Sequence, residues 1–447
     1  MNAMRVEPRT FWILLLCVTV LAPHPAAAQP VDARGLPSFY APEPDLRAYV
    51  DEALGRSPGV HEALARYRGA LETVPQVRAL SDPMLTFTQA IRSVETRVGP
   101  QLNTFMLTQA LPWFGTLGLR EQVAVEAAAA GYHRYVAAQR DVIANVKRAY
   151  YDLAYVDTAI AVTEQEQSLL EHYEQLAQTR FSTGQGLQQG VIRLQVEITK
   201  IINRLDMLGQ QRETLAARLN TLRDQAPEVP IPAIARPVLP EVELDLEELY
   251  ELGHRHRPEL NAGAALIERG ERAVALARNA SRPNFTAGVG YQNVGGRRDP
   301  AGRLAPPPDN GKNPLTVSVG MTIPLWTGKY RASVEETTEE LMAQRYGYAA
   351  ARNTMEFDVR DAVTKLQTLR DQMALFEQVL IPQTEEALRA TEAAYETAQL
   401  GVLDLLDGER MRLDVRLINA RYSADYLVTL AGLERAIGTT VPQVRRP

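Results

Sequence analysis

The 447-residue sequence holds a single cysteine, Cys17. It lies inside an apolar run, Phe11 to Ala22, which follows Arg5 and Arg9 and precedes Ala26-Ala27-Ala28. A basic start, an apolar centre and a small-residue cleavage site read as a secretory signal peptide over residues 1–28. The run is short for a membrane span. The leucines before Cys17 are not the small residues of a lipidation site, so no lipid anchor is expected. After residue 28 the chain lacks cysteine altogether, which excludes disulfides and thiolate chemistry there. It also lacks a basic excess: 46 basic residues face 53 acidic ones after residue 28, a net charge of −7. That balance argues against nucleic acid as a partner. No later stretch approaches the ~18 consecutive apolar residues that a transmembrane helix needs.

Chemistry-bearing clusters are equally sparse. His254 and His256 are too close in sequence to share one face of a helix, and no cysteine or further histidine completes a metal site. Gly288-Val289-Gly290 is a fragment of a nucleotide loop, but it sits within a strand pattern and reads better as small residues facing a pore. No catalytic constellation, metal site or cofactor is expected, and an enzyme has no residues behind it.

What the chain does contain is one joint, made twice. Phe105, Leu107, Gln109 and Leu111 alternate with Thr104, Met106, Thr108 and Ala110, the period of a two-faced strand. Pro112 ends the ladder, and a helical run follows Gly115 and Gly118. The joint returns at Val319 to Arg331, where Pro324 echoes Pro112 and Trp326 echoes Phe114. Ser57-Pro58 matches Arg257-Pro258 and Asp82-Pro83 matches Arg282-Pro283, both at an offset of 200. Pro112 to Pro324 is an offset of 212, and Phe181 to Tyr395 one of 214. Such spacing reads as an internal duplication.

Taken in order, residues 29–44 form an extended arm at the head of a first repeat, 29–225. That repeat holds two short helices, a β-hairpin over 83–112 and a long helical hairpin over 117–225. In its first strand Leu85, Phe87 and Ile91 share a face. A proline-rich linker covers 226–242. The second repeat, 243–438, carries its β-hairpin at 283–324 and its helical hairpin at 329–437, with a bend at Pro382 and a tail over 439–447. Leu315, Val317, Val319, Met321 and Ile323 alternate with Thr316, Ser318, Gly320 and Thr322. The strands are of roughly nine residues, suited to crossing a bilayer at a tilt. Each has an apolar and a small-polar face, as a water-filled membrane barrel requires. Four strands cannot close a barrel, and lipid does not tolerate open sheet edges, so several copies must share one. Trp113, Phe114 and Trp326 at the strand ends suit the interfacial aromatics of such a barrel, or packing at the joint.

The sequence resembles the TolC family of outer-membrane efflux ducts over essentially all of the chain after the signal peptide. The resemblance lies in the duplicated helix–hairpin–helix plan, the joints at Leu111-Pro112-Trp113-Phe114-Gly115 and Ile323-Pro324-Leu325-Trp326, and Arg257-Pro258-Glu259-Leu260. The turns Phe181–Leu187 and Tyr395–Asp407 complete it. It implies a mostly α fold with a small β part: a homotrimer with a 12-stranded transmembrane β-barrel in outer-membrane lipid, joined to a long coiled-coil α-helical barrel in the periplasm. It implies docking to a periplasmic adaptor and an inner-membrane pump through Gly184, Gln185, Gly186 and Leu187 at the first tip and Gln399, Leu400, Gly401 and Val402 at the second. Asp404 and Asp407 would line a closed periplasmic gate, and the Tyr395 hydroxyl would help hold the coiled coils shut. The first tip departs from the family pattern: Gly190 stands where some members carry an acid, at the position equivalent to Asp404. The function implied is the exit duct of a tripartite efflux system, for drugs or metal ions. A type I protein secretion duct is the alternative within transport, and a soluble periplasmic coiled-coil scaffold the alternative outside it.

Overall fold

The computed structural model describes residues 43–397 and 399–443. The signal peptide, all but the end of the 29–44 arm, and the last residues of the tail lie outside the described residues. The chain opens with α1 (Pro44–Arg56) and α2 (Pro58–Arg78), then the strands β1 (Met84–Gln89) and β2 (Gln101–Leu111). Two long helices follow, α3 (Thr116–Ser182) and α4 (Gln188–Leu222). The plan then repeats with α5 (Leu246–His256), α6 (Pro258–Asn279) and β3 (Phe285–Val294). A short α7 (Pro300–Leu304) precedes β4 (Leu315–Met321). After it come α8 (Thr327–Leu375), a π-helical turn at Phe376–Leu380, α9 (Ile381–Glu396) and α10 (Val402–Ile437).

Strong helix formers without interruption explain the length of α3, whose 67 residues span roughly 100 Å at 1.5 Å per residue. The second long helix differs. Pro382 has no N–H to give the preceding turn, and its ring crowds the carbonyl four residues back. The π-turn just before it widens the helix by one residue and absorbs that conflict. Where the sequence predicts a bend, the structure has a change of helical period.

The strands form one antiparallel sheet in the order β1-β2-β3-β4. Register places Leu85, Leu107, Val289 and Val317 in one row, and Phe87, Phe105, Tyr291 and Leu315 in the next. Paired residues point to the same side, so one face is apolar across all four strands. The opposite face carries Thr86, Met106, Gly290 and Thr316, then Met84, Thr108, Gly288 and Ser318. Gly288 and Gly290 do not leave open lumen. A Cβ on either would fall 2.6 Å from the hydroxyl of Ser318 or Thr316, so these glycines admit their neighbours' side chains. The crowding is on the polar face, the concave side expected of a curling sheet. Ile91 lies beyond the end of β1, outside the strand that the sequence pattern assigned to it. The joints bind the sheet to the helices. Trp113 N–H donates to Asn284 Oδ1 at 3.1 Å, and the Trp113 and Phe285 rings stack at 5.9 Å.

Packing is concentrated in two apolar clusters. One joins α1, α3, α4, α5, α8 and α10 around Leu46, Leu153, Leu219, Leu249, Met355 and Leu433. The other, around Leu170, Leu194, Leu388, Leu405 and Leu413, lies toward the helical turns. The proline-rich segment after α4 is a strap. Asp157 Oδ2 accepts from Ile234 N–H at 2.8 Å, and Tyr426 donates to Pro240 O at 3.2 Å. Arg370 holds Val242 O at 3.2 Å. Proline fixes its backbone, and side chains from α3, α8 and α10 satisfy its polar groups.

Candidate functional site at the helical turns

The two helical turns meet. Gln185, Gly186 and Leu187 of the first line one cleft of about 320 Å³ together with Tyr395, Leu400, Gly401, Val402 and Asp404 of the second. Gly184 and Gln399 do not line it. The partners are close because of Gly190, the third residue of α4. A Cβ there would lie 3.0 Å from Val402 Cγ2, so the missing side chain lets Val402 seat. The departure from an acid at this position therefore has a packing reason.

Asp404 is the third residue of α10. Its Oδ2 accepts from Gly401 N–H at 3.2 Å, which satisfies a donor that the helix start leaves free. Asp407 lies one turn on, largely exposed, with Arg410 Nη1 at 3.5 Å. Arg410 spends most of its fork elsewhere, on Glu197 of α4, with Nε–Oε1 at 3.0 Å and Nη2–Oε2 at 2.5 Å. That bidentate pair lowers the Glu197 pKa and ties α10 to α4. Asp404 and Asp407 are three residues apart and so share a helix face.

Tyr395 is buried, and burial raises its pKa while Arg180 opposes the shift. Its ring meets Tyr173 edge-on at 6.3 Å, and the Arg180 guanidinium lies 4.6 Å over its centroid. Arg180 also donates to the carbonyls of Tyr395 and Glu396, both at 2.8 Å. It thus closes the C-terminus of α9 from the first hairpin. Sequence reasoning missed Arg180, because nothing in its own neighbourhood marks it. Its echo in the second repeat, Ala394, carries no charge.

A buried acidic group lies further along the helices. Glu409 of α10 is 1% exposed. Burial, with Glu166 beside it, pushes its pKa up to about 7. Arg412 reaches Glu166 at 3.0 Å and Glu409 at 2.8 Å. Tyr173 donates to Glu392 at 2.5 Å. Arg412 thus bridges two carboxylates, on α3 and α10, while Glu392 of α9 adds to the field around it. His254 pairs with Glu356 at 3.1 Å, while His256 makes no ion pair among the described residues. Among the described residues no cluster of His, Cys, Asp and Glu could hold a metal ion, and no helix is long and apolar enough to cross a membrane.

Residues 249–439 match the family model described as "Outer membrane efflux protein". Outer membrane protein TolC of Vibrio cholerae serotype O1 is 22% identical over 89% of this chain and 92% of its own length. Among solved structures, the outer membrane protein VceC from Vibrio cholerae has a TM-score of 0.73 at 18% identity, covering 89% of this chain and 96% of that one. The open state of the Neisseria gonorrhoeae MtrE outer membrane channel gives 0.70 at 19% identity, covering 90% and 91%. These structures share its fold.

Proposed function

We propose that this chain, a member of the TolC-like outer membrane efflux protein family, is the exit duct of a tripartite efflux system and works as a homotrimer. The observation that carries the reading is the sheet. Among the described residues its edges β1 and β4 are unpaired, and Val317 and Val319 on its apolar face are 77% and 80% exposed. Three copies of the four-stranded sheet would make a 12-stranded barrel with lipid outside and hydroxyls within. Exposed Ile192, Val196 and Met207 on α4, and Leu403 and Met411 on α10, supply apolar surface for neighbouring copies. An aqueous scaffold would have no use for an apolar sheet face. Segments 29–225 and 243–438 serve as the two repeats.

The pooled helices form the periplasmic barrel, and the turns are its docking end. Gly184 to Leu187 and Gln399 to Val402 receive the adaptor, with the inner-membrane pump behind it choosing drugs or metal ions as cargo. In the trimer Asp404 and Asp407 would form two rings of carboxylates at the pore, favouring cations and binding multivalent ions that block it. Tyr395, clamped by Arg180, holds the second tip against the first. Single-channel conductance in a planar bilayer tests the gate. Asp404→Ala with Asp407→Ala lowers cation selectivity and relieves block by divalent and trivalent ions. Unchanged selectivity and block would leave Asp404 as a helix cap only.

A further inference from the structure

The apolar face of the sheet ends abruptly on the side away from the helices. Beyond the row Phe87, Phe105, Tyr291 and Leu315, register brings Gln89 and Asn103 together, with Asn293 opposite Asn103. The Tyr291 hydroxyl accepts from Asn313 at 2.7 Å at the same level. An apolar column that turns to amides marks the edge of a hydrocarbon layer. What lies past that edge is cationic. The loops 90–100 and 295–314 contain Arg92, Arg97, Arg297, Arg298, Arg303 and Lys312 against Glu95, Asp299 and Asp309, in a chain of net charge −6. Arg297 is taken up by Asp299 at 2.8 Å and Lys312 by Asp309 at 2.9 Å. Arg92, Arg97, Arg298 and Arg303 are exposed and make no ion pair among the described residues.

These arginines are held on one platform. Gly311 N–H donates to Val98 O at 2.9 Å, Gly295 N–H to Pro100 O at 2.8 Å, and Arg298 N–H to Glu95 Oε1 at 2.9 Å. At Gly99, whose φ is +114°, a Cβ would sit 1.8 Å from Gly295 O, so the two loop backbones touch. Lys312 lowers the Asp309 pKa, and Arg97 of the other loop adds to that field. The same two loops carry Ile91 and Leu304, next in sequence to Arg92 and Arg303, and Val94 between Arg92 and Arg97, 99%, 88% and 76% exposed. Bare aliphatic side chains beside unpaired guanidinium groups, at the rim of an apolar face, match a surface that is part acyl chain and part phosphate. Guanidinium forks bind phosphate oxygens in pairs, and a preformed platform loses little entropy on binding.

We propose that Arg92, Arg97, Arg298 and Arg303 form a docking surface for the phosphorylated headgroup of an outer-leaflet lipid. The lipid, and not free phosphate, is the ligand, because Ile91, Val94 and Leu304 offer nothing to an inorganic ion. This rests on the reading of the sheet as part of a membrane barrel. The purified assembly in detergent is incubated with bis-phosphorylated lipid A, dephosphorylated lipid A or phosphatidylcholine, and retained lipid is counted by native mass spectrometry. The same sample is checked for oligomeric state and conductance. Bis-phosphorylated lipid A is retained at least ~10-fold more than either alternative, since each lost guanidinium–phosphate contact is a charge-assisted one. Changing all four arginines to Gln removes that preference while the trimer and its conductance persist. Equal retention by the variant or by the dephosphorylated lipid overturns the proposal, as does displacement by millimolar inorganic phosphate. If the fourfold variant does not assemble, Arg97→Gln with Arg298→Gln carries the same comparison. A monomer without conductance in the unaltered chain would overturn the barrel reading instead.

Discussion

The two helical hairpins come from one plan and end differently. The first has an unbroken 67-residue helix, a turn, and a return helix whose third residue is Gly190. The second has a helix relieved by a π-turn at Pro382 and a return helix whose third residue is Asp404. At the same position one repeat uses an absent side chain to admit Val402, and the other uses a carboxylate to cap its own helix. Arg180 of the first hairpin closes the end of α9 in the second, and Ala394 makes no return gesture. We read the two arms as copies of one repeat that began alike. Divergence made one a clamp and the other the part that is clamped, and it left the charged pair Asp404 and Asp407 on the clamped arm alone.

Removing the clamp should have the largest effect. Arg180→Ala deletes two charged hydrogen bonds to carbonyls and a cation–π contact, a loss of about 2–3 kcal/mol at the tip. Limited proteolysis near residue 398 should accelerate. Arg180→Lys should restore only part of the protection, because an ammonium cannot fork across two carbonyls.

Making the repeats alike should cost less. Gly190→Asp gives α4 the acid that α10 already has, and a cap is worth about 1 kcal/mol. It also drives a side chain into Val402, at about 1–3 kcal/mol. Net destabilisation in thermal unfolding is expected, and Val402→Ala in the same chain should recover it. Additive losses in that double-mutant cycle would mean that the two residues are not coupled.

The smallest effect concerns pH. Glu409 has a pKa raised from 4.5 to about 7 in the folded chain. A carboxyl shifted upward stabilises most when neutral, so its contribution is present below pH ~4.5 and is lost as pH rises through ~7. The value of about 7 already includes the opposing pull of Arg412. The unfolding midpoint should therefore fall as pH rises from about 4.5 to about 7, by about a few degrees at most, and Glu409→Gln should flatten the slope. An unchanged slope in that variant would assign the dependence to another group.

Much of this fold is legible in the sequence because its signals are local. The period-2 alternation of Leu315 to Ile323, the prolines that follow β2 and β4 and the proline-free run of α3 act within a few residues of themselves. So do the glycines of the turns. What escaped depends on partners distant in sequence. Arg180 matters through carbonyls 215 and 216 residues away. Glu409 is perturbed by Glu166 on another helix. The short α7 sits in a loop whose Gly and Pro content masks any periodicity, and Asp299 caps it through Gly302 N–H. Asp404 shows the middle case. Its place on α10 could be read from spacing, but its bond to Gly401 could not.

The proposed barrel and its gate of Asp404 and Asp407 depend on an assembly that brings copies together, and that is the claim to measure first. Native mass measurement of the detergent-extracted protein, with chemical cross-linking in intact cells, gives the copy number directly. The account predicts a trimer that requires detergent, because the four-stranded sheet leaves β1 and β4 unpaired and its apolar face bare. A monomer released into aqueous buffer without detergent would contradict it.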